Sequence, residues 1–291
     1  MLNHAFLIET HDSPELLQRI VDRLNTPNHF FFIHLDGKSS VNKIDTTRIG
    51  GGGGYLSDNQ RVKVFYPGFS MIQAEISLLR AALNYPVQMD YFHLISGHDY
   101  PCRTNKEFDD FFESCPKGRS FMHFDTDEQH EEWKPLINNR YYKWHFHDVL
   151  SNRYLRKATE LFYDHFMPRK KPIELYAGWN WFSWHRSLAS WVVNYYDTHP
   201  DYVNSFHHTS CCDEVIFHTA LYYHIDELNI DRDNALRYID WFPKRKYDTL
   251  PLVLDERDYE GIVQSGMFFC RKVFLDRSTK LLDMLDRKCS E

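Results

Sequence analysis

The chain of 291 residues is 43% hydrophobic and 16% aromatic, enough to build a sizeable core, and carries a net charge of −7. With no long basic run it has no nucleic-acid footprint, and no apolar run reaches the roughly 20 residues that a membrane-spanning helix needs. The six cysteines show neither a C-x-x-C pair nor the spacing of a disulfide framework. Nothing at the N-terminus resembles a signal peptide, so a reducing cytoplasm is the expected compartment.

Residues 4–9 (HAFLIE) read as a first strand and residues 14–24 as a helix, announced by Asp12 or Ser13 as cap and Pro14 at the first helical position. Residues 30–35 (FFFIHL) are apolar enough to lie inside a parallel sheet, and the run ends at Asp36-Gly37. A carboxylate there suits a ribose or a uracil edge, because it accepts hydrogen bonds from two hydroxyls. Gly50 to Gly54 match neither phosphate-binding glycine spacing and read as a mobile loop, with closure over a site as the functional alternative. Residues 61–66 read as a third strand, and residues 70–84 as a helix packed on the sheet.

The stretch YFHLISGHDYPCRTN, residues 91–105, is a buried strand that runs into a polar turn. Thr104 and Glu107 then form a capping box that starts the next helix. Strand ends of this kind are where α/β proteins place ligands. Residues 121–124 follow as a fifth strand, and Asp125-Thr126-Asp127 behind it is either a turn or a holder of a divalent cation such as Mn²⁺ or Mg²⁺. Residues 131–166 are helical in patches. The cluster Arg169-Lys170-Lys171 reads as a solvated turn, with contact to an anionic membrane face as the alternative.

Residues 174–185 (ELYAGWNWFSWH) suggest a strand bent at Gly178, where a missing side chain admits a ligand or another backbone. A helix resumes over residues 187–196. Ser210 and Asp213 are spaced as reciprocal caps of a further helix. Glu214 is then either a general base or a first-turn carboxylate that suits the helix dipole. His207, His208, Cys211 and Cys212 lack the spacing of a structural zinc site. Towards the C-terminus, NALRYIDW and SGMFFCRK carry cations that either converge on a site or lie at sheet edges.

Seven segments in this order resemble the core-2/I-branching and peptide O-xylosyltransferase family of glycosyltransferases. They are FFFIHLD, GFSMIQAEISLLRAAL, YFHLISGHDYPCRTN, AGWNWFSWHR, CCDEVIFHTAL, NALRYIDW and SGMFFCRKVF, and together they span nearly the whole chain. The resemblance implies an α/β GT-A-type fold: a single domain over residues 1–291 with a mostly parallel central sheet flanked by helices. A donor-binding part would cover about residues 1–125, and an acceptor and catalytic part about residues 126–291.

It also implies an inverting transferase that moves N-acetylglucosamine, or xylose, from a UDP-sugar to a hydroxyl of a glycan or glycolipid, with no metal required. Carried over position by position, Glu214 is the catalytic base, and Arg237, Lys272 and the neighbouring Arg271 handle the diphosphate. Asp36, Tyr66 and Glu9 contact the rest of the donor, while Arg140 and Trp181 face the acceptor. The alternatives are a metal-dependent transferase using Asp125 and Asp127, and a non-catalytic glycan- or nucleotide-binding protein of the same fold. The membrane anchor, stem and lumenal disulfides of eukaryotic relatives have no counterpart in this sequence. The resemblance therefore points to a bacterial form, cytoplasmic or peripheral to the inner membrane face.

Overall fold

The computed structural model describes residues 1–169, 173–242, 245 and 249–290. Its elements follow in chain order. Strand β1 (His4–Thr10) leads to helix α1 (Pro14–Leu24) and strand β2 (His29–Leu35). Strand β3 (Gly52–Tyr55), helix α2 (Ser70–Leu83), strand β4 (Tyr91–Ser96), strand β5 (Tyr100–Pro101) and helix α3 (Asn105–Ser114) come next. The middle of the chain holds β6 (Ser120–Phe124), α4 (Asp127–Tyr142), α5 (Arg153–Phe166), β7 (Gly178–His185), α6 (Arg186–Thr198) and α7 (Pro200–Asn204). Then come α8 (Ile216–Tyr222), β8 (Ile230–Asp231), β9 (Arg237–Ile239), α9 (Tyr259–Ser265), β10 (Phe269–Arg271) and α10 (Leu275–Ser290).

The seven strands of the main sheet lie in the order β3-β2-β1-β4-β7-β6-β8. β3, β2, β1 and β4 pair in parallel, and β7 runs antiparallel to both its neighbours. This is the mostly parallel, helix-flanked α/β sheet expected. All seven residues of β2 are buried, and so is nearly all of β1, as continuous apolar runs require when helices cover both faces. One face packs on α2 and α6 through Ile72, Leu79, Leu94, Trp184 and Leu188. The other packs on α1, α3 and α10 through Phe6, Leu17, Phe31, Phe108 and Leu282.

A second sheet, β5-β10-β9, joins the turn after β4 to the C-terminal part. Its strands have only two and three residues, too short to leave a pattern in the sequence.

The third strand is not residues 61–66, which carry no strand pairing, but the glycine run. β3 lies along the outer edge of β2, pairing Gly52 with Phe30 and Tyr55 with Ile33. Gly53, at φ +93°, comes so close that a Cβ would sit 2.1 Å from the Phe31 carbonyl oxygen. The glycines therefore build an edge strand rather than a mobile loop. Gly178 has the same logic at the start of β7: a Cβ would fall 2.1 Å from the His123 carbonyl oxygen, so the approaching group is backbone.

The capping box at α3 forms as expected. The Glu107 N–H donates to Thr104 Oγ1 at 3.1 Å, and the Thr104 N–H donates to Glu107 Oε2 at 2.9 Å. Ser13, in contrast, takes left-handed angles and makes no side-chain cap. All six cysteines are free. Among the described residues, no helix is long and apolar enough to cross a membrane.

Arg169 is not a solvated turn residue. It donates to the carbonyls of Ser205 and His208 and lies over the Tyr141 ring at 4.4 Å. Lys170 and Lys171, the rest of that cluster, lie outside the described residues.

Candidate active site

Parallel pairing brings the C-terminal ends of β1, β2 and β4 to one edge of the sheet, where open α/β folds bind ligands. A cleft of about 870 Å³ opens there. β1 contributes Glu9, the turn after β2 gives Asp36 and Lys38, and β4 ends in Ser96. β7 enters from the opposite direction, so it is its first residues, Trp179, Asn180 and Trp181, that face the cleft. Tyr66, Asp213, Glu214, Arg271 and Lys272 complete the wall.

Asp36 is held in place by backbone. Its Oδ1 accepts from the N–H of Lys38 at 2.8 Å and of Val64 at 3.3 Å, while Oδ2 lies 3.7 Å from Lys38 Nζ. One carboxylate oxygen is therefore spent on orienting the group and the other faces a cation at the cleft. Tyr66 stands on the rim, 75% exposed, with its ring open to stacking.

The cations are organised by a buried carboxylate in the turn after β4. Asp99 has no solvent exposure, and its Oδ2 accepts from the Ser96 N–H at 2.7 Å, the Ser96 hydroxyl at 2.6 Å and Arg271 Nη1 at 3.0 Å. Arg271 in turn lies over the Trp181 ring at 4.2 Å. Lys272 lines the same wall, and burial with the neighbouring Arg271 charge lowers its pKa.

Arg237 departs from expectation, because its side chain is fully buried and does not line the cleft. It donates to the carbonyls of Leu94 and Ala235 and approaches Asp99 Oδ1 at 3.7 Å, behind Trp181. Burial draws its pKa down to about 10. Arg237 thus supports Asp99 and Trp181 from beneath rather than presenting a charge to solvent.

Glu214 sits at the end of a short 3-10 turn, Cys212–Glu214, that opens from Cys211 in left-handed geometry. The expected Ser210–Asp213 cap pair does not form, and the α-helix begins only at Ile216. Arg140, on α4, does not line the cleft as an acceptor contact would, but places Nη1 2.5 Å from Glu214 Oε2. That pairing fixes the position of the Glu214 carboxylate beside a guanidinium. Burial works against the Arg140 charge, and the adjacent Glu214 outweighs it, so the Arg140 pKa is raised.

The floor of the cleft is acidic. Glu9 and Asp213 line it, and Glu75, fully buried on α2, accepts at Oε1 from the Asn180 side chain at 2.9 Å. Burial raises the pKa of all three, and a neighbouring carboxylate adds to it: Asp213 for Glu9, Glu9 and Asp213 for Glu75, and Glu214 for Asp213. Glu75 Oε2, Asp213 Oδ1 and Asn180 Oδ1 are buried with no hydrogen-bond partner. Asp213 reads from the sequence only as a helix cap, and Glu75 is not singled out there. The signal for Glu75 was there: a carboxylate inside the apolar face set by Ile72, Ile76 and Leu79.

Asp125 and Asp127 do not line the cleft. Asp127 is the first residue of α4, whose start is closed by a Thr126–Gln129 capping box, so the D-x-D pattern marks a helix start. Burial, and then the Glu214 charge, raise the pKa of Asp125. Among the described residues, none of the groupings of three His, Cys, Asp or Glu donors able to meet on one ion includes Asp125 or Asp127.

Comparison with known proteins gives the class first: the relatives are named glycosyltransferases. The chain belongs to the core-2/I-branching enzyme family, whose model matches residues 4–261.

It is similar to rat beta-1,3-galactosyl-O-glycosyl-glycoprotein beta-1,6-N-acetylglucosaminyltransferase 3, 23% identical over 54% of this chain and 34% of the relative. It is also similar to the beta-glucuronosyltransferase GlcAT14B of Arabidopsis thaliana, 24% identical over 97% of this chain and 65% of the relative. The chain thus spans from a third to just under two thirds of the length of these two relatives. Among solved structures, mouse xyloside xylosyltransferase 1 in its apo form aligns with 85% of this chain and 91% of that one. The identity is 10% and the TM-score 0.38, a likeness too slight to support a fold or a function.

Proposed function

We propose that the protein transfers a neutral sugar from a UDP-sugar to a hydroxyl of a glycan or glycolipid, with inversion at the anomeric carbon and no metal requirement. N-acetylglucosamine is the first donor and xylose the second. The observation that carries this reading is one cleft that gathers a carboxylate held by Arg140, Glu214, and two cations, Arg271 and Lys272. In this reading residues 1–125 supply most of the nucleotide contacts and residues 126–291 the base and the acceptor side.

The chemistry needs both parts. Glu214 takes the proton of the acceptor hydroxyl as that oxygen forms a bond to the anomeric carbon. On the opposite face the bond from that carbon to the diphosphate oxygen breaks, and UDP leaves with the electron pair. Arg271 and Lys272 meet the charge that develops there, with Arg237 holding Trp181 and Asp99 behind them. Asp36 and Tyr66 hold the uridine end, and Trp181 offers a ring face to a sugar on the acceptor side.

The acidic floor bears on the donor. Carboxyls of Glu9 and Asp213, with unpartnered acceptor atoms on Asp213 and Asn180, suit sugar hydroxyls and amide N–H groups.

A panel of UDP-sugars tested by thermal shift and turnover, with and without EDTA, examines the whole reading. The expected result is transfer with UDP-N-acetylglucosamine or UDP-xylose, and a rise in Tm on adding either sugar nucleotide that is the same size with and without EDTA. Preference for UDP-glucuronic acid would overturn the neutral-donor assignment. Loss of turnover in EDTA that manganese restores would overturn the metal-free one.

A further inference from the structure

We propose that His4, His29 and Asp109 form a zinc site at the opposite end of the sheet from the cleft, clamping α3 to the first two strands. His4 and His29 start β1 and β2 and stand opposite each other in register. Both rings have no solvent exposure, and the Asp109 side chain on α3 is 22% exposed. Along β1 the site lies five residues from Glu9, roughly 17 Å at strand rise.

The donor atoms already converge. Asp109 Oδ1 lies 2.9 Å from His29 Nε2 and 3.7 Å from His4 Nε2, and all three atoms fall within 4.8 Å of one another. Ligands at about 2.0–2.2 Å from a tetrahedral zinc ion are themselves roughly 3.2–3.6 Å apart, so small shifts complete the geometry. Of the three side chains only that of Asp109 reaches solvent.

Proton bookkeeping points the same way. His29 Nδ1 faces the Leu24 carbonyl oxygen at 2.7 Å and must carry a hydrogen to bond it. His29 Nε2 then faces the Asp109 carboxylate oxygen at 2.9 Å, either as the N–H of a charged ring or, after a small outward shift, as a lone pair on an ion that the two share. His4 Nδ1 shares a proton with His93 Nε2 at 3.0 Å, and His93 Nδ1 continues to the Ser183 hydroxyl at 2.9 Å. That leaves His4 Nε2 buried with no hydrogen-bond partner, facing the same point.

One bound metal ion would take both imidazole nitrogens and the Asp109 oxygen at a single point. A ligating histidine whose other nitrogen is fixed by a carbonyl or a second polar group is the usual outer arrangement of a zinc site. Two imidazoles and a carboxylate suit zinc better than magnesium or calcium.

The test uses the full chain, stripped with chelator and titrated with Zn²⁺ by calorimetry, with melting followed in parallel. One zinc per chain is expected, with a rise in Tm of roughly 5 °C or more at saturation. Co²⁺ in place of zinc should give the visible bands of a four-coordinate ion. Asp109→Asn and His29→Gln should each abolish the zinc-dependent rise and the cobalt bands. Because both sites are structural, circular dichroism of the metal-free variants checks that they fold.

A second cluster, His11, Asp12 and His98, lies on the lip of the cleft, so Asp12→Asn serves as the control and should bind as the parent does. Absence of zinc binding in the parent chain would overturn the proposal in favour of an imidazolium–carboxylate pair. Binding that survives Asp109→Asn or disappears with Asp12→Asn would place the ion elsewhere and equally overturn it.

Discussion

The two ends of β1 solve the problem of buried charge in opposite ways. At the N-terminal end His4 is enclosed by histidines and aromatic rings, and Asp109 is the counter-charge. At the C-terminal end Glu9 faces Asp213 and, farther in, Glu75, and Arg271 is the cation that offsets its charge. The first end closes the sheet with groups that satisfy one another or converge on a single point. The second holds carboxyls in excess of their partners, which costs stability and leaves acceptor atoms for a substrate. A polar excess kept at a strand's C-terminal end is what a binding site requires and a structural site avoids.

The largest expected effect comes from removing the base at the functional end. Glu214→Gln should lower turnover by roughly 100-fold or more while donor affinity, read by UDP-sugar thermal shift, is kept. Unchanged turnover would assign the base elsewhere, with Asp213 the next group to examine. Lys272→Ala should weaken UDP binding by roughly 10-fold, since a charge-assisted contact to a phosphate is lost. Indifference in calorimetry would remove the cationic clamp.

A smaller effect measures the acidic floor itself. Carboxyls whose folded pKa lies above the unfolded value stabilise the fold fully below that unfolded value, and the contribution is lost as pH rises through the folded one. For Glu9 and Asp213 the window runs from ordinary values of 4.5 and 3.8 up to about 8 and about 7. Tm should therefore fall between pH 5 and about 8. Glu75→Gln keeps the acceptor for Asn180 and removes one buried charge. It should flatten that slope and raise Tm at pH 8 by roughly 2–4 °C. A slope identical to the parent's would mean that these carboxyls do not strain the fold.

The smallest effect is local. Thr104→Ala breaks the capping box of α3 and should cost about 1 kcal/mol in denaturant unfolding. An unchanged midpoint would show that the packing of Phe108 and Phe112 alone holds the helix start.

What the sequence made legible follows from how each element announces itself. β1, β2, β4 and β6 are apolar runs with polar ends, and their positions could be read to within a residue or two. β3 could not, because a strand made of glycine has no side chains to alternate, and the more strand-like run at residues 61–66 drew the assignment instead.

The cleft was half legible. Asp36, Glu214, Arg271 and Lys272 are marked by family resemblance and share its wall. The position of Arg237 beneath Trp181, the grip of Arg140 on Glu214 and the role of Asp99 depend on contacts between residues far apart in the chain. The histidine end was invisible for a related reason: His4 and His29 look like incidental polar residues at strand starts until parallel register sets them side by side.

The small sheet β5-β10-β9 has one further consequence, for the order in which the protein is made. Pairing of Cys270 with Tyr100 and of Phe269 with Arg237 ties the turn after β4 to the last sixty residues. On a ribosome, the strands and helices up to β8 can be laid down while Asp99 still waits for both of its arginines. Arg271 and Lys272 follow Asp99 by more than a hundred and seventy positions, so that wall of the cleft is completed only when β10 pairs with β5.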